Sequence, residues 1–93
     1  MNKENYVSTL YIAGQTQKAA RAIENINRYC DEHLQERYTL NVVDLKEHPE
    51  LAATEQIIAV PTLIRRLPAP MRILVGDLSD KEKVLVGLNI RQV

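Results

Sequence analysis

Cys30 is the only cysteine among the 93 residues of the chain. A single cysteine excludes a disulfide within the chain and is typical of a reducing compartment. The polar segment Met1–Asn5 lacks the apolar stretch of a signal peptide, and no apolar run is long enough to span a bilayer. We therefore predict a cytoplasmic protein.

Trp and Phe are also absent, and the aromatic residues are four tyrosines. The core must therefore consist of Ile, Leu, Val and Ala with a small aromatic contribution. A chain of this length forms one small domain, here residues 1–93, whose core gives limited stability. Self-association stabilises domains of this size, so we expect a dimer or a tetramer.

The chain has no net charge, because 12 basic residues balance 12 acidic ones. No overall field favours nucleic acid or an anionic membrane. Between Ile57 and Gly76, however, lie Arg65, Arg66 and Arg72 and no carboxylate. We interpret these arginines as a local basic patch suited to an acidic protein surface. Separate solvated arginines on an edge strand are the open alternative.

Hydrophobic periodicity predicts a β-α-β unit in the first half. Tyr6–Ala13 is rich in β-branched and aromatic residues and is closed by Gly14, which is typical of a strand. From Thr16, a plausible N-cap, the apolar residues follow a helical period, and Tyr38–Asp44 returns to a strand pattern with Leu40 and Val42 on one face. Two strands around a helix of this length should be parallel. The apolar helix positions are Ala19, Ala22, Ile23, Ile26, Cys30 and Leu34.

The second half contains shorter elements, separated by proline and glycine. We predict a short helix from about His48 to Ile57 with Pro49 in its first turn, and later a helix after the capping box Ser79–Glu82. The order β-α-β-α-β-β-α on a single sheet is the thioredoxin-like plan, so the predicted fold class is α/β. The remaining predicted segments are the strand Val60–Ile64, the break Pro68-Ala69-Pro70, the strand Met71–Val75 and the apolar helix positions Val84, Leu85 and Leu88.

Thioredoxin-like enzymes carry their reactive cysteines between the first strand and the first helix, where the helix N-terminus lowers the thiol pKa. Here that loop, Gly14–Lys18, has no cysteine. Cys30 lies on the apolar stripe of the helix, so we predict a buried core thiol. A thiol oxidoreductase that uses Cys30 with an external thiol is the open alternative, and it requires a lowered Cys30 pKa.

No other pattern indicates catalysis. His33 and His48 have no cysteine or second histidine at metal-ligand spacing, so we interpret both as surface helix residues. No phosphate-binding or nucleophile motif is present. We predict a non-enzymatic protein with no cofactor and no metal.

The sequence resembles the KaiB family in five stretches that together extend over about residues 6 to 90. The last two stretches are specific in their order and spacing, whereas the first and third are generic to thioredoxin-like domains. The matching residues are Leu10-Tyr11-Ile12-Ala13-Gly14-x-Thr16, Tyr38-x-Leu40-x-Val42-Val43-Asp44, Ala59-Val60-Pro61-Thr62-Leu63, Leu67-Pro68-x-Pro70-x-Arg72 and Gly76-Asp77-Leu78-Ser79-x-x-Glu82-Lys83-Val84-Leu85-x-Gly87-Leu88.

The resemblance implies a non-enzymatic regulator with two folds. One is a tetramer-forming ground state with a βαββααβ arrangement, and the other is a thioredoxin-like monomer that binds the ATPase ring of KaiC. In the circadian clock this complex sequesters KaiA and displaces a histidine kinase whose sensor domain resembles KaiB. In bacteria without a full oscillator the suggested role is stress adaptation. A kinase sensor domain is a further alternative, since such domains share the fold.

By motif position, the resemblance implies partner contacts at Tyr6, Arg21, Arg65 and Arg72. It also implies that the C-terminal half, about Ala52 to Val93, refolds, with proline isomers acting as a slow gate. Two departures, Ala69 within the proline run and Asn89 where the family usually has Asp, indicate a divergent, non-cyanobacterial member. The residues expected to matter for refolding are Pro61, Pro68, Pro70, Gly87 and Asn89.

Overall fold

A computed structural model describes residues 5–90 of the chain. The order of elements within this range is the predicted one. The elements are β1 (Tyr6–Ile12), α1 (Gln17–His33), β2 (Tyr38–Asp44), α2 (Glu50–Thr54), β3 (Thr62–Leu67), β4 (Arg72–Val75) and α3 (Lys81–Gly87).

The strands form a four-stranded mixed sheet in the order β2-β1-β3-β4. β1 and β2 are parallel, in register from Tyr6 opposite Tyr38 to Ile12 opposite Asp44, and α1 connects them. This confirms the predicted β-α-β unit. β3 runs antiparallel to β1, and β4 runs antiparallel to β3.

The main core lies between one face of the sheet and the helices α1 and α3. Leu10 and Ile12 of β1 and Leu63 of β3 point to this face because side chains alternate along a strand. The apolar stripe of α1 covers them, as its spacing predicts, and α3 adds the predicted positions. The two helices and their C-cap residues contribute the buried side chains Ala19, Ala22, Ile26, Tyr29, Cys30, Leu34, Val84, Leu85 and Leu88.

A smaller cluster lies on the opposite face of the sheet, beneath α2. Tyr11, Leu45 and Ile64 are buried there, and Leu51 and Ala52 of α2 pack against them. α2 has five residues rather than the span His48–Ile57 predicted from the sequence. The helix ends early because Gln56 adopts a left-handed φ of 56°, and the Ile57 amide closes the turn on the Ala52 carbonyl at 2.8 Å.

The predicted strand Val60–Ile64 is also shifted, since β3 begins at Thr62 and continues to Leu67. Pro61 has no amide hydrogen to donate to the sheet, which delays the start. The strand continues through its arginines because Arg65 pairs with Ser8 of β1 and with Arg72 of β4. β4 starts at Arg72, one residue later than predicted.

The predicted capping box that starts at Ser79 is wrong. Asp80 is the N-cap of α3, and its Oδ1 accepts a hydrogen bond from the Lys83 amide at 3.2 Å. The Ser79 amide donates instead to Asp77 Oδ1 at 3.1 Å. Asp77 thus binds the amide two residues ahead in a local turn, and the helix begins one residue later.

Three X-Pro bonds whose isomer the sequence leaves open are cis: Val60–Pro61, Leu67–Pro68 and Ala69–Pro70. The suggested gating role of these prolines stays a prediction. Within residues 5–90, none of the helices has the length and apolar character needed to cross a membrane. The predictions on the leading segment Met1–Glu4, and on the end of the refolding segment beyond residue 90, lie outside the described residues.

Candidate partner-binding surface

The loop between β1 and α1 is closed by structural hydrogen bonds. Gly14 has a φ of 80°, and its amide donates to Asp44 Oδ1 at 2.9 Å. The Lys46 amide donates to the same oxygen at 2.9 Å. These two amides hold the pKa of the Asp44 carboxyl below its usual value. The residues here join the ends of β1 and β2 and carry no thiol.

Cys30 is buried in the main core, with 5% of its surface exposed, which confirms the predicted core thiol. Burial, with a smaller contribution from the charge of Asp31, raises the Cys30 pKa to about 12. Thiol–disulfide exchange requires a thiolate, and the oxidoreductase alternative required a lowered pKa. The buried, protonated Cys30 thiol therefore does not fit the oxidoreductase alternative.

The histidines lie apart, and no group of three or more potential metal ligands occurs within residues 5–90. His48 is exposed as predicted but lies in the turn before α2 rather than in a helix, with its Nδ1 3.8 Å from Glu50 Oε2. His33 is the last residue of α1 and is half-buried, so its interpretation as a surface residue needs correction.

Arg65 is buried, with 1% of its surface exposed, which corrects its predicted role as a direct partner contact. Its guanidinium donates to the carbonyl of Leu88 at the end of α3, and to the carbonyl of Pro70 at 2.6 Å. Strand alternation explains the burial, since Arg65 shares its face of β3 with Leu63. The sequence carried this signal, but a charged residue indicates a surface position by default.

The side chain of Arg66 lies on the opposite face of β3. There it contacts Glu55 and Tyr11, which the sequence did not predict. Its Nη2 donates to Glu55 Oε1 at 2.6 Å and to the Tyr11 hydroxyl at 2.6 Å. The hydrogen bond to Glu55 raises the Arg66 pKa. The predicted patch of Arg65, Arg66 and Arg72 is therefore not one exposed surface, because two of its arginines are engaged on opposite faces of the sheet.

Tyr6 and Arg72 lie on the two strands that flank β3, with Arg65 between them. The Arg65 guanidinium is 5.9 Å from the centroid of the Tyr6 ring, and Arg65 pairs with Arg72 across β3 and β4. Arg72 is exposed, and Tyr6 is half-buried. We refer to Tyr6, Arg72 and the β3–β4 loop of residues 68–71 as the Tyr6–Arg72 surface.

Arg21 belongs to a different part of the molecule. Its Nε lies 3.4 Å from Asp77 Oδ2, just beyond the end of β4. On β4, the residue nearest to Asp77 is Val75, which pairs with Thr62 of β3. This pair is three residues along the strands from the Arg65–Arg72 pair, a separation of roughly 10 Å. The structure thus places Tyr6 and Arg72 on either side of Arg65 at one end of the sheet, and Arg21 toward the other end.

Other residues of α1 also hold the segment between β4 and α3, which the sequence did not reveal. Asn25 Nδ2 donates to the Asp77 carbonyl at 3.0 Å, and the Tyr29 hydroxyl donates to the Ser79 carbonyl at 3.2 Å. Both acceptors are backbone groups, so no side-chain pattern marks them. Together with Arg21, three side chains of α1 thus hold the segment of residues 77–79 that leads into α3.

The end of α3 contains the two non-proline residues expected to matter for refolding. A Cβ on Gly87 would lie 2.5 Å from Leu74 Cδ2, so the absence of a side chain allows α3 to pack closely on β4. Asn89 adopts a left-handed φ of 56°, and the Ile90 amide donates to the Leu85 carbonyl at 2.9 Å. These residues close the helix next to the Leu88 carbonyl that Arg65 binds.

The fold and the site together define a thioredoxin-like domain without the thiol chemistry. The chain is similar to chloroplastic thioredoxin z, with a TM-score of 0.73, 15% identity, and coverage of 92% of this chain and 80% of that one. It is also similar to the N-terminal domain of Synechococcus elongatus SasA, with a TM-score of 0.66, 18% identity, and coverage of 97% and 89%. At these identities the likeness establishes the fold alone.

Sequence comparison identifies the family. A family model described as the KaiB domain matches residues 9–90. The circadian clock oscillator protein KaiB of Cyanothece sp. is 44% identical over 88 residues, which cover 95% of this chain and 84% of that protein. The chain belongs to the KaiB family, as its motifs predict.

Proposed function

We propose that this chain is a non-enzymatic regulatory protein that acts in a circadian clock or in stress adaptation by binding a KaiC-type ATPase ring. The observation that carries the proposal is the 44% identity to a circadian clock oscillator protein over 95% of the chain. The buried thiol of Cys30 supports a binding role, because it leaves the thioredoxin-like fold without its usual chemistry.

The Tyr6–Arg72 surface is the proposed contact site for the ring. Arg72 is exposed, and no carboxylate of residues 5–90 forms an ion pair with it. A solvated cation of this kind sets the association rate and the choice of an acidic partner more than it sets affinity. Arg21 is proposed as a second contact, separated from the first along the sheet.

The fold exchange is proposed for the segment from about residue 52 to the end of the chain. Several large apolar side chains of this segment are exposed in the thioredoxin-like arrangement, among them Ile58 at 97%, Val75 at 61% and Val86 at 79%. A second packing that buries such residues between subunits would offset the cost of refolding. Two packings coexist only if their free energies differ by a few kcal/mol.

Further partners follow from the same proposal. The thioredoxin-like form would compete with a histidine kinase whose sensor domain has the same fold, and its complex with the ring would offer a site for KaiA. The other form would be a dimer or a tetramer of this chain.

The test is co-elution with a purified KaiC-type ATPase ring in the presence of ATP. Binding should develop slowly, because the binding form must first be populated from the other one. Rapid binding that reaches its final level at once would contradict fold exchange, but it would still support a KaiC-type ring as the partner. No binding to any KaiC-type ring would contradict the proposed function itself.

A further inference from the structure

Arg65 joins three segments that are distant in the sequence. Its own strand, β3, lies in the middle of the C-terminal half, and its guanidinium reaches the Pro70 carbonyl in the β3–β4 loop and the Leu88 carbonyl at the end of α3. The same group lies 5.9 Å from the centroid of the Tyr6 ring in β1. One buried side chain thus contacts a loop, a helix end and the first strand.

The chemistry of these contacts makes them strong. A guanidinium presents donors in a rigid planar fork, so it can bind two carbonyls in fixed directions at once. Arg65 is 1% exposed, and a charge at that depth is costly unless its donors are satisfied. Loss of the side chain would also leave two carbonyl groups without this donor in a partly dry environment.

The position of Arg65 links these contacts to the Tyr6–Arg72 surface. Tyr6 packs over the guanidinium, Arg72 is its register partner on β4, and residues 68–71 form the loop that it binds. A shift of the guanidinium would therefore act directly on Tyr6 and on the loop that leads into Arg72.

We propose that Arg65 is a positioning residue that clasps the β3–β4 loop to the end of α3 and so holds Tyr6 and Arg72 in the geometry that the partner ring contacts. This inference rests on the proposed function and assigns a buried residue to the organisation of that site. Arg65 acts through its neighbours and does not itself contact the partner.

The neighbouring residue provides a matched control. Arg66 is also an arginine of β3 with two hydrogen bonds, but it bonds to Glu55 and Tyr11 on the opposite face, away from the Tyr6–Arg72 surface. Arg65→Met and Arg66→Met keep a similar apolar stem and remove the same group. Arg65→Lys keeps the charge but loses the fork that reaches two carbonyls.

The first measurement is amide hydrogen exchange in the free protein. The amides of Leu88, Asn89 and Ile90 are hydrogen-bonded at the end of α3, and the Gly76 amide, bonded to the Pro61 carbonyl, is an internal reference far from Arg65. Relative to Gly76, exchange at these three amides should be at least tenfold faster in Arg65→Met and unchanged in Arg66→Met, with Arg65→Lys between them. Unchanged exchange in Arg65→Met would overturn the clasp.

The second measurement is binding to a KaiC-type ATPase ring at two salt concentrations. Arg65→Met should weaken binding at least tenfold at both concentrations, because the buried charge does not steer association, whereas Arg66→Met should bind as the wild type does. Partial recovery in Arg65→Lys is expected. Wild-type affinity in Arg65→Met, or a loss that disappears at high salt, would overturn the positioning role. If the wild type binds no ring, the proposed function fails, and the exchange data still decide the clasp.

Discussion

Arg65 and Arg66 are adjacent in β3, but their side chains leave opposite faces of the sheet. Arg65 is buried in the main core beside the end of α3, whereas Arg66 lies on the face covered by α2 and binds Glu55. Alternation along the strand produces this difference and is visible in the sequence. Which arginine becomes buried depends on carbonyl acceptors at Leu88 and Pro70, which only the tertiary fold brings within reach.

The exposed arginine of the Tyr6–Arg72 surface gives a direct test at the level of one residue. Arg72→Glu should weaken ring binding by at least tenfold while the free energy of unfolding changes by less than about 0.5 kcal/mol, because the side chain is exposed. The loss should shrink at high salt, since charge contacts near the surface are screened. Binding measured by surface plasmon resonance at two salt concentrations checks both statements.

A matched control is Lys46→Glu, which reverses an exposed charge beside Gly14 at the opposite end of the sheet. It should leave binding unchanged. If both charge reversals weaken binding equally, then net charge matters and the Tyr6–Arg72 surface is not the contact site.

Cys30 should be unreactive in the native protein. With a pKa of about 12, its thiolate fraction at pH 8 is roughly 2000-fold smaller than that of an unfolded cysteine, whose pKa is about 8.5. Alkylation by iodoacetamide should therefore be slow in buffer and fast in guanidinium chloride. Rapid native labelling would show that the fold opens around α1.

The same pKa predicts how stability depends on pH. The folded state keeps the thiol protonated, so its contribution to stability is complete below about pH 9 and is lost as pH rises toward 12. The hydrogen bond to Asp31 is the main reason that the Tyr38 pKa is raised from 10.0 to about 12. Tyr38 therefore also lowers the stability of the folded state as pH rises from about 10 to 12. The free energy of unfolding, measured by urea titration across this pH range for wild type and Cys30→Ala, separates the contributions of Cys30 and Tyr38. Of these two, the variant retains only the contribution of Tyr38.

At the scale of elements, periodicity identified the long segments better than the short ones. β1, α1 and β2 follow the sequence pattern closely because each has at least seven residues and an apolar face. The end of α2 was predicted less well because it depends on the left-handed conformation of Gln56. The limits of β3 were also predicted less well, because they depend on pairing with β1 and β4. The start of α3 was misplaced because Ser79 and Asp80 are both good N-caps and a local bond to Asp77 decides between them.

The N-cap of α1 makes the contribution of a single element measurable. The Thr16 hydroxyl accepts a hydrogen bond from the Ala19 amide at 3.0 Å. Thr16→Ala should lower the free energy of unfolding by about 1 kcal/mol, which corresponds to roughly 4–8 °C in Tm for a domain of this size. Thr16→Ser keeps the acceptor and should cost much less. Equal losses in the two variants would indicate that the methyl group, and not the cap, carries the effect.

At the scale of the whole molecule, the two faces of the sheet are unequal. α1 and α3 bury the main core, whereas the five residues of α2 cover only part of the other face and leave Ile73 and Val75 of β4 exposed. The elements that follow β3 are short, and β4 is an edge strand of the sheet.

The proposed exchange between two folds can be tested at Asn89. A left-handed φ of 56° costs a non-glycine residue about 1–2 kcal/mol, and a β-branched residue more. If the thioredoxin-like monomer is in equilibrium with another packing that lacks this turn, Asn89→Gly should raise the ratio of monomer to the other form by a factor of about 5–30, and Asn89→Val should lower it. Size-exclusion chromatography with small-angle scattering measures the fraction, since the monomer has a Cα radius of gyration of 12.8 Å.

Gln35 supplies the control for this experiment, because it has a φ of 53° at the end of α1, outside the segment proposed to refold. Gln35→Val places a similar strain in a part that both folds should share, so it should destabilise both and leave the monomer fraction unchanged. A change in the Asn89 variants without one in Gln35→Val would locate the exchange in the C-terminal half. If the Asn89 and Gln35 variants change global unfolding alike and leave the monomer fraction constant, the end of α3 takes no part in any exchange, and the chain keeps the thioredoxin-like fold.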